Sequence, residues 1–227
     1  MSDYIEPLLV SLKTVSATTV ITFFLGIAAA RWMANYKGRF KGLIDGLFVL
    51  PMVLPPTVVG YGLLILFGVN GPLGKLFLAM GEKIVFSWSA TVIAAVVMAF
   101  PIMYMTARGA FEQVESNIED AARTLGASEW RVFWTVTLPM AKAGVIAATV
   151  LAFARSLGEF GATLMLAGNI AGKTATIPIA IYFAIQSGYE EKAMILCLVV
   201  LAISFTSLVA IAYWKGRAKK MKPVKIS

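Results

Sequence analysis

The chain has 227 residues, of which 59% are hydrophobic and 14% charged, whereas a soluble domain has about 45–50% apolar and about 25% charged residues. This composition predicts an integral membrane protein and leaves too little polar surface for the net charge of +8 to serve in nucleic-acid binding. The absence of histidine and the single cysteine, Cys197, exclude histidine triads, His or Cys zinc sites and intrachain disulfides. No catalytic and no metal-binding residues are therefore predicted.

Five apolar runs are long enough to cross a bilayer, which takes about 20 helical residues. A shorter apolar segment at 176–185 is interpreted as a re-entrant or interfacial helix. The acidic start MSDYIEP and the length of the first run favour an uncleaved helix over a signal peptide. Residues 1–227 are thus expected to form a single all-α integral membrane domain. Its predicted spans lie at about 8–32, 43–67, 85–107, 141–167 and 194–214.

The distribution of basic residues predicts the orientation, since loops rich in Lys and Arg stay on the cytoplasmic side. Fourteen of the 20 Lys and Arg lie at or just after the end of span one, between residues 108 and 142, or in the tail 215–227, and five lie on the other side. The N-terminus is therefore expected outside and the C-terminus in the cytoplasm, with the basic tail close to anionic lipid.

The second span is predicted to break at Pro55 and Pro56, because prolines remove helix hydrogen bonds and are tolerated where a span faces protein or a water-filled cavity. At about 1.5 Å per residue, Pro56 lies about 20 Å from the inner end of the span. A helix that restarts there directs its first N–H groups into mid-membrane, and such a helix end attracts anions. The predicted donors are the backbone groups of Thr57, Val58, Val59 and Gly60.

The loop between spans three and four is far more charged than its surroundings and is predicted to hold two short helices. Ser116 or Asn117 is expected to cap the first helix, and Gly126 to end it in the left-handed conformation. Ser128 is expected to cap the second helix. Pro139 is predicted to begin the fourth span, where its missing N–H costs nothing.

The spacing of residues in this loop resembles the EAA loop of ABC importer permeases, whose pattern is EAAxxxG, nine residues, IxLP. Asp120 replaces the first Glu of that pattern and Val136 replaces the Ile. The resemblance implies that the first loop helix docks in a groove of a separate cytoplasmic ATPase, which binds ATP and Mg; an ordinary amphipathic connector is the alternative. The expected coupling residues are Glu119, Asp120, Ala121, Ala122, Leu125, Gly126, Leu138 and Pro139.

Arg155 and Glu159 lie four residues apart in the fourth span, where a charge costs about 2.5–3.5 kcal/mol on insertion scales. We expect them on one helix face directed to the protein interior, with Arg155 at about the depth of Pro56. Two interpretations stay open: an ion pair that locks the helix to its neighbours, or a group that lowers the barrier to a passing anion. The predicted pathway residues are Pro55, Pro56, Thr57, Val58, Gly60, Arg155, Ser156, Glu159 and Gly161.

The segment Gly-Lys-Thr at 172–174 matches only the end of a P-loop, because Ala167 stands at the first glycine position. We therefore expect this chain to bind no nucleotide and no other cofactor.

Three stretches, LPMVLPPTVVGYGLL, FARSLGEFGAT and GNIAGKTATIPIAIY, look like those of the permease subunits of molybdate importers, collinear over nearly the whole chain. Sulfate permeases are similar around ARSLGEFG, so the resemblance implies oxyanion import and leaves molybdate, tungstate and sulfate open. It also implies the type I ABC importer permease fold, a homodimer with two ATPase subunits, an extracytoplasmic molybdate-binding protein, and the cytoplasmic (inner) membrane of a prokaryote. Some relatives carry an extra N-terminal span, which this chain is expected to lack.

Two other functions are alternatives to oxyanion import. A permease of the same fold for another solute would have the same loop pattern. An ion-driven secondary transporter would use Arg155 and Glu159 as coupling charges, but its usual inverted repeat is not evident between the two halves of the sequence.

Overall fold

The computed structural model describes the backbone of residues 2–220, without the side chains of residues 2, 208 and 210–220. The described residues form helices joined by short connections, which confirms the expected all-α fold. The side chains of the predicted basic tail, 215–227, lie outside the described part of the chain. The helices are α1 (Ser2–Asn35), α2 (Lys41–Val53), α3 (Pro56–Phe67), α4 (Pro72–Ala79), α5 (Trp88–Glu112), α6 (Ser116–Thr124), α7 (Glu129–Val132), α8 (Leu138–Leu157), α9 (Gly161–Ala167), α10 (Ile177–Gln186) and α11 (Glu190–Lys220).

Three helical stretches are each long and apolar enough to cross a membrane: Asp3–Asn35, Trp88–Glu112 and Glu129–Leu157. Helices α2 and α3 meet the same criterion together and are bent by 111° at the break between them. The described residues thus contain up to four such spans, as expected of a multi-pass membrane protein. Helix α11 extends over the predicted fifth span, while the count of five spans and the orientation remain predictions.

The predicted fourth span, 141–167, is not one helix, and the prediction of an unbroken span is wrong. Helix α8 ends at Leu157 and α9 begins at Gly161. Glycine in a helix interior costs about 1 kcal/mol relative to alanine, and Gly158 lies at the point where α8 ends. The Glu159 carboxylate then accepts the backbone N–H of Ala162 at 2.8 Å, which satisfies one of the free donors at the start of α9.

Pro139 lies in the first turn of α8, as predicted, but the helical stretch does not begin there, because it runs on from Glu129. A π-helical turn, Phe133–Thr137, joins α7 to α8. In this turn the N–H of Leu138 reaches back five residues to the carbonyl of Phe133. The wider turn accommodates a proline, which lacks an N–H and crowds the carbonyl four residues before it.

Two apolar clusters share the central helix α5 and divide the other helices between them. The inner cluster joins α1, α2 and α8 to the second half of α5, around the fully buried Met103 and Tyr104. The outer cluster joins α3 and α9 to the first half of α5, around Ala94 and Leu166. The breaks between α2 and α3 and between α8 and α9 therefore fall where the chain passes from one cluster to the other.

Small residues allow close packing on α5, as in other membrane helix bundles. A Cβ on Gly26 of α1 would lie only 2.5 Å from Met103 Cγ. Near the start of α2, Asp45 accepts hydrogen bonds from Tyr104 Oη at 2.7 Å and from Arg108 Nη1 at 2.6 Å. The single charge of the second predicted span thus fixes α2 on α5.

Candidate functional site

The breaks in the second and fourth predicted spans adjoin each other, and we call residues 54–57 and 158–161 the paired breaks. A Cβ on Gly161 would lie 2.9 Å from Pro56 Cβ and 3.5 Å from the backbone nitrogen of Thr57. One on Gly60 would lie 2.8 Å from Ala162 Cα, so α3 and α9 pack almost backbone to backbone. The structure thus brings together Pro56 and Gly161, two of the predicted pathway residues.

The backbone donors predicted at the start of α3 are mostly occupied, which corrects the prediction for residues 57–60. Val58 and Val59 both donate to the carbonyl of Pro55, at 2.9 and 3.2 Å. Gly60 is buried inside α3. The backbone N–H of Thr57 has no acceptor among the described residues, and its side chain is exposed. The carbonyl of Pro55 accepts the N–H groups of Val58 and Val59 in the first turn of α3. Among residues 57–60, only Thr57 therefore retains an N–H that could bind an anion.

Arg155 and Glu159 form an ion pair, with Nη1 and Oε2 3.1 Å apart. They do not share a helix face as expected, because Glu159 follows the end of α8. The Glu159 side chain is only 2% exposed and bridges Arg155 to the start of α9. For Glu159, this geometry supports the interpretation of an ion pair that locks the helix to its neighbours. The Arg155 side chain, in contrast, remains 32% exposed.

Ser156, a predicted pathway residue, is not accessible at the paired breaks. Its side chain is buried, and its Oγ donates to the carbonyl of Phe153 at 2.8 Å. The accessible polar side chains near the breaks are therefore those of Arg155, which is half-buried, and Thr57, which is exposed beside Pro55, Pro56 and Val58.

In the charged loop, two of the three predicted caps are confirmed. Gly126 has a φ of +84°, and the N–H groups of Gly126 and Ala127 donate to the carbonyls of Arg123 and Ala122, as in a Schellman C-cap. The hydroxyl of Ser128 accepts the N–H of Arg131 at 3.4 Å. The predicted cap at residues 116–117 is wrong: α6 starts at Ser116, and the preceding residue supplies a backbone carbonyl rather than a side chain.

Helix α6 presents an apolar edge to its surroundings. Leu125 is 88% exposed, Ile118 is 39% exposed, and Ala121 between them is exposed. Ala122 is half-buried, and Asp120 is exposed beside Arg123. Nothing in the described residues covers this edge, although it lies on the segment with the EAA-like spacing. Of the other predicted coupling residues, Leu138 packs on the inner cluster and Pro139 is exposed on α8.

Glu119, predicted as part of the coupling loop, has a role that sequence reasoning missed. It is buried, and its Oε1 accepts hydrogen bonds from Arg31 Nη1 at 3.0 Å and from the Thr137 hydroxyl. In the sequence, Arg31 contributes only to the positive charge that predicts the orientation. The residues are 88 positions apart, so no local spacing signals the contact.

Arg123 links α6 to α7 by bonds to three carboxylates. Its guanidinium donates to Glu129 at 2.6 Å, to Asp120 at 2.6 Å and to Glu119 at 3.3 Å. The hydrogen bond from Arg123 holds the pKa of Glu129 below its usual range, and the carboxylates raise the pKa of Arg123. The stabilising link is therefore present at neutral pH and is lost as the pH falls through the lowered pKa of Glu129.

A family model described as binding-protein-dependent transport system inner membrane component matches residues 23–217. The chain is 45% identical to the molybdenum transport system permease protein ModB of Escherichia coli K12, over 95% of this chain and 94% of that protein. It is 38% identical to the putative molybdenum transport system permease protein YvgM of Bacillus subtilis 168, over 91% and 92%. A probable sulfate transport system permease protein cysT of Chlorokybus atmophyticus is 32% identical, over 92% and 73%.

Two solved structures share the fold. A bacterial ABC transporter for the acidic polysaccharide alginate aligns with a TM-score of 0.73 at 15% identity, over 98% of this chain and 81% of that chain. The MetNI methionine ABC transporter aligns with a TM-score of 0.71 at 14% identity, over 92% and 93%. These alignments confirm the expected fold of an ABC importer permease.

Proposed function

Since the chain belongs to the family of binding-protein-dependent transport system inner membrane components, we propose that it is the permease subunit of an ATP-driven importer of molybdate. Molybdenum transport in the names of the relatives supports this choice of solute. Tungstate is included in the proposal, because it is an oxyanion of nearly the same size and charge. Sulfate is the second candidate, favoured by the sulfate permease relative.

The observation that carries the proposal is the exposed apolar edge of α6, a helix that Glu119 fixes to α1 and to the π-helical turn before α8. An exposed leucine on a short, rigidly attached helix fits docking into a groove of another protein better than contact with water. We infer that two copies of this chain form a homodimer in the cytoplasmic membrane of a prokaryote, and that two cytoplasmic ATPases holding ATP and Mg dock on the α6 helices. An extracytoplasmic binding protein delivers the anion, as the alginate transporter in complex with its periplasmic protein illustrates for its own solute.

In the proposed transport cycle, movement of the ATPases displaces α6, and the helices around α5 alternate between outward and inward openings. The anion passes the paired breaks, where Arg155 and Thr57 replace part of its hydration.

Reconstitution into liposomes with the ATPase and the binding protein tests the proposal. Uptake of labelled molybdate should require ATP, the ATPase and the binding protein, and tungstate should compete with it. Labelled sulfate at the same concentration discriminates the second candidate. Uptake by the chain alone, or uptake driven by an ion gradient without ATP, would contradict the proposed class of transporter.

Leu125→Asp tests the docking surface directly. Full burial of a leucine side chain contributes about 1.5–3 kcal/mol, so co-purification of the ATPase should fall by about tenfold or more. Gln113→Asp, which makes the same charge change at an exposed position before α6, should leave co-purification unchanged. Equal ATPase recovery with both variants would show that α6 is not the docking helix.

A further inference from the structure

Three segments of the chain meet at the carboxylate of Glu119. Within α6, all of whose residues the structure describes, Glu119 alone is buried. Its Oε1 accepts hydrogen bonds from Arg31 Nη1 of α1 at 3.0 Å and from the hydroxyl of Thr137 in the π-helical turn. Its Oε2 accepts a hydrogen bond from Arg123 Nη2 of the same helix at 3.3 Å.

Arg31 is held in place from several sides. Its side chain is 17% exposed, and its guanidinium lies over the ring of Phe133, 5.6 Å from the ring centroid. Its Nη2 is 3.8 Å from Glu129 Oε2. Phe133 in turn packs edge to face on Phe111 near the end of α5. A charged group so confined has few alternative positions.

Thr137 is fully buried, and its hydroxyl lies in the widened turn where α7 passes into α8. The π-helical turn sets this hydroxyl toward α6. The junction of Glu119, Arg31 and Thr137 thus joins the exposed helix α6 to α1 on one side and to the long helix of α7 and α8 on the other.

We propose that Arg31 and Thr137 are positioning residues that make α6 move as one body with α1 and α8. This inference rests on the proposed function and specifies how the displacement of α6 reaches the spans. Ile118 and Ala121 of α6 are exposed and Ala122 is half-buried. The buried group of α6 is the carboxylate of Glu119, so the attachment of α6 to the spans is chiefly polar. A charge-assisted hydrogen bond is directional and resists both sliding and rotation, whereas an exposed apolar edge resists neither.

Thr137→Val removes the hydroxyl with almost no change in shape, and Thr137→Ser keeps the hydroxyl as its matched control. In the reconstituted complex with its ATPase and binding protein, Thr137→Val should still assemble and hydrolyse ATP. The amount of labelled molybdate transported per ATP should fall by about three- to thirtyfold, the range found when coupling residues are changed. Thr137→Ser should keep the wild-type ratio.

Arg31→Gln provides a second variant, with Arg31→Lys as the conservative rescue and Arg131→Gln as a control at an exposed arginine of the same loop. Arg31→Gln should lower transport per ATP, Arg31→Lys should restore most of it, and Arg131→Gln should have no effect. An unchanged ratio in Thr137→Val and Arg31→Gln would overturn the proposal, as would parallel losses of assembly, hydrolysis and uptake. Failure of the proposed function itself would be visible separately, as an absence of ATP-dependent uptake in the wild-type complex.

Discussion

Glu159 shows how one carboxylate is kept stable where a helix breaks inside an apolar segment. One oxygen accepts the Ala162 N–H at 2.8 Å and the other lies 3.1 Å from Arg155. A buried carboxylate without such partners would cost several kcal/mol. Arg155 differs from it, because a third of its side chain remains exposed. The two charges form a pair, but only the arginine is accessible to a solute.

Arg155→Ala should therefore lower anion uptake without preventing assembly of the complex. Loss of a charge-assisted hydrogen bond of about 1.5–3 kcal/mol corresponds to a decrease in rate of about tenfold or more. Initial rates of molybdate uptake by the reconstituted complex measure the effect. Lys142→Ala removes the same charge from an exposed position of α8 and should leave the rate unchanged. Normal uptake by Arg155→Ala would place Arg155 outside the pathway.

Helices α3 and α9 are short, and each depends on the other for close packing. Gly60 and Gly161 remove the side chains that would separate them, and Leu63, Ala162 and Leu166 fill the outer cluster between them. Neither segment is long enough to cross a bilayer alone. Each therefore gains its stability from packing against the other and against α5, and not from its intrinsic propensity.

Gly60→Ala should lower the stability of the protein, with Gly62→Ala as a control two residues away. The new Cβ at position 60 would lie 2.8 Å from Ala162 Cα, whereas the one at position 62 would meet nothing within 4 Å. Overpacking typically costs about 1–3 kcal/mol. Thermal unfolding in detergent should show a Tm several degrees lower for Gly60→Ala alone. Equal Tm values for the two variants would contradict the backbone-to-backbone packing.

At the scale of the whole molecule, the two breaks and the middle of α5 lie between the inner and the outer apolar cluster. Along α5, Met98 is the last residue of the outer cluster and Ala99 is the first residue of the inner cluster. Pro101 lies close to this boundary between the clusters. The helices of the inner cluster and those of the outer cluster thus meet near the middle of α5, beside the paired breaks. A relative movement of the two groups would change the access to Arg155 and Thr57 from either side.

The orientation of the molecule is testable by thiol labelling in a Cys197→Ser background. Glu82→Cys lies between α4 and α5, and Ser116→Cys lies at the start of α6; both positions are exposed. Because basic loops are retained in the cytoplasm, a membrane-impermeant maleimide should label Glu82→Cys in intact spheroplasts and Ser116→Cys only after permeabilisation. The Cys197→Ser protein alone should remain unlabelled. The opposite labelling pattern would place α6 outside and exclude an ATPase partner there.

The sequence by itself determined the features that depend on local chemistry. Apolar runs predicted the long helices, the missing N–H of Pro55 and Pro56 predicted the break in the second span, and Gly126 and Ser128 predicted the turn between α6 and α7. Each of these follows from the conformational limits of one residue and its nearest neighbours, so no tertiary contact is needed to foresee it.

Only the tertiary structure decided the rest. The end of α8 near Gly158, the carbonyl that occupies the donors of Val58 and Val59, and the burial of Glu119 between Arg31 and Thr137 were not predicted. Such features depend on partners that approach in space, over 88 positions of sequence in the case of Arg31 and Glu119. A buried charge is stable only where its partners are present, and a local pattern of residue types does not state which distant side chain will be its partner.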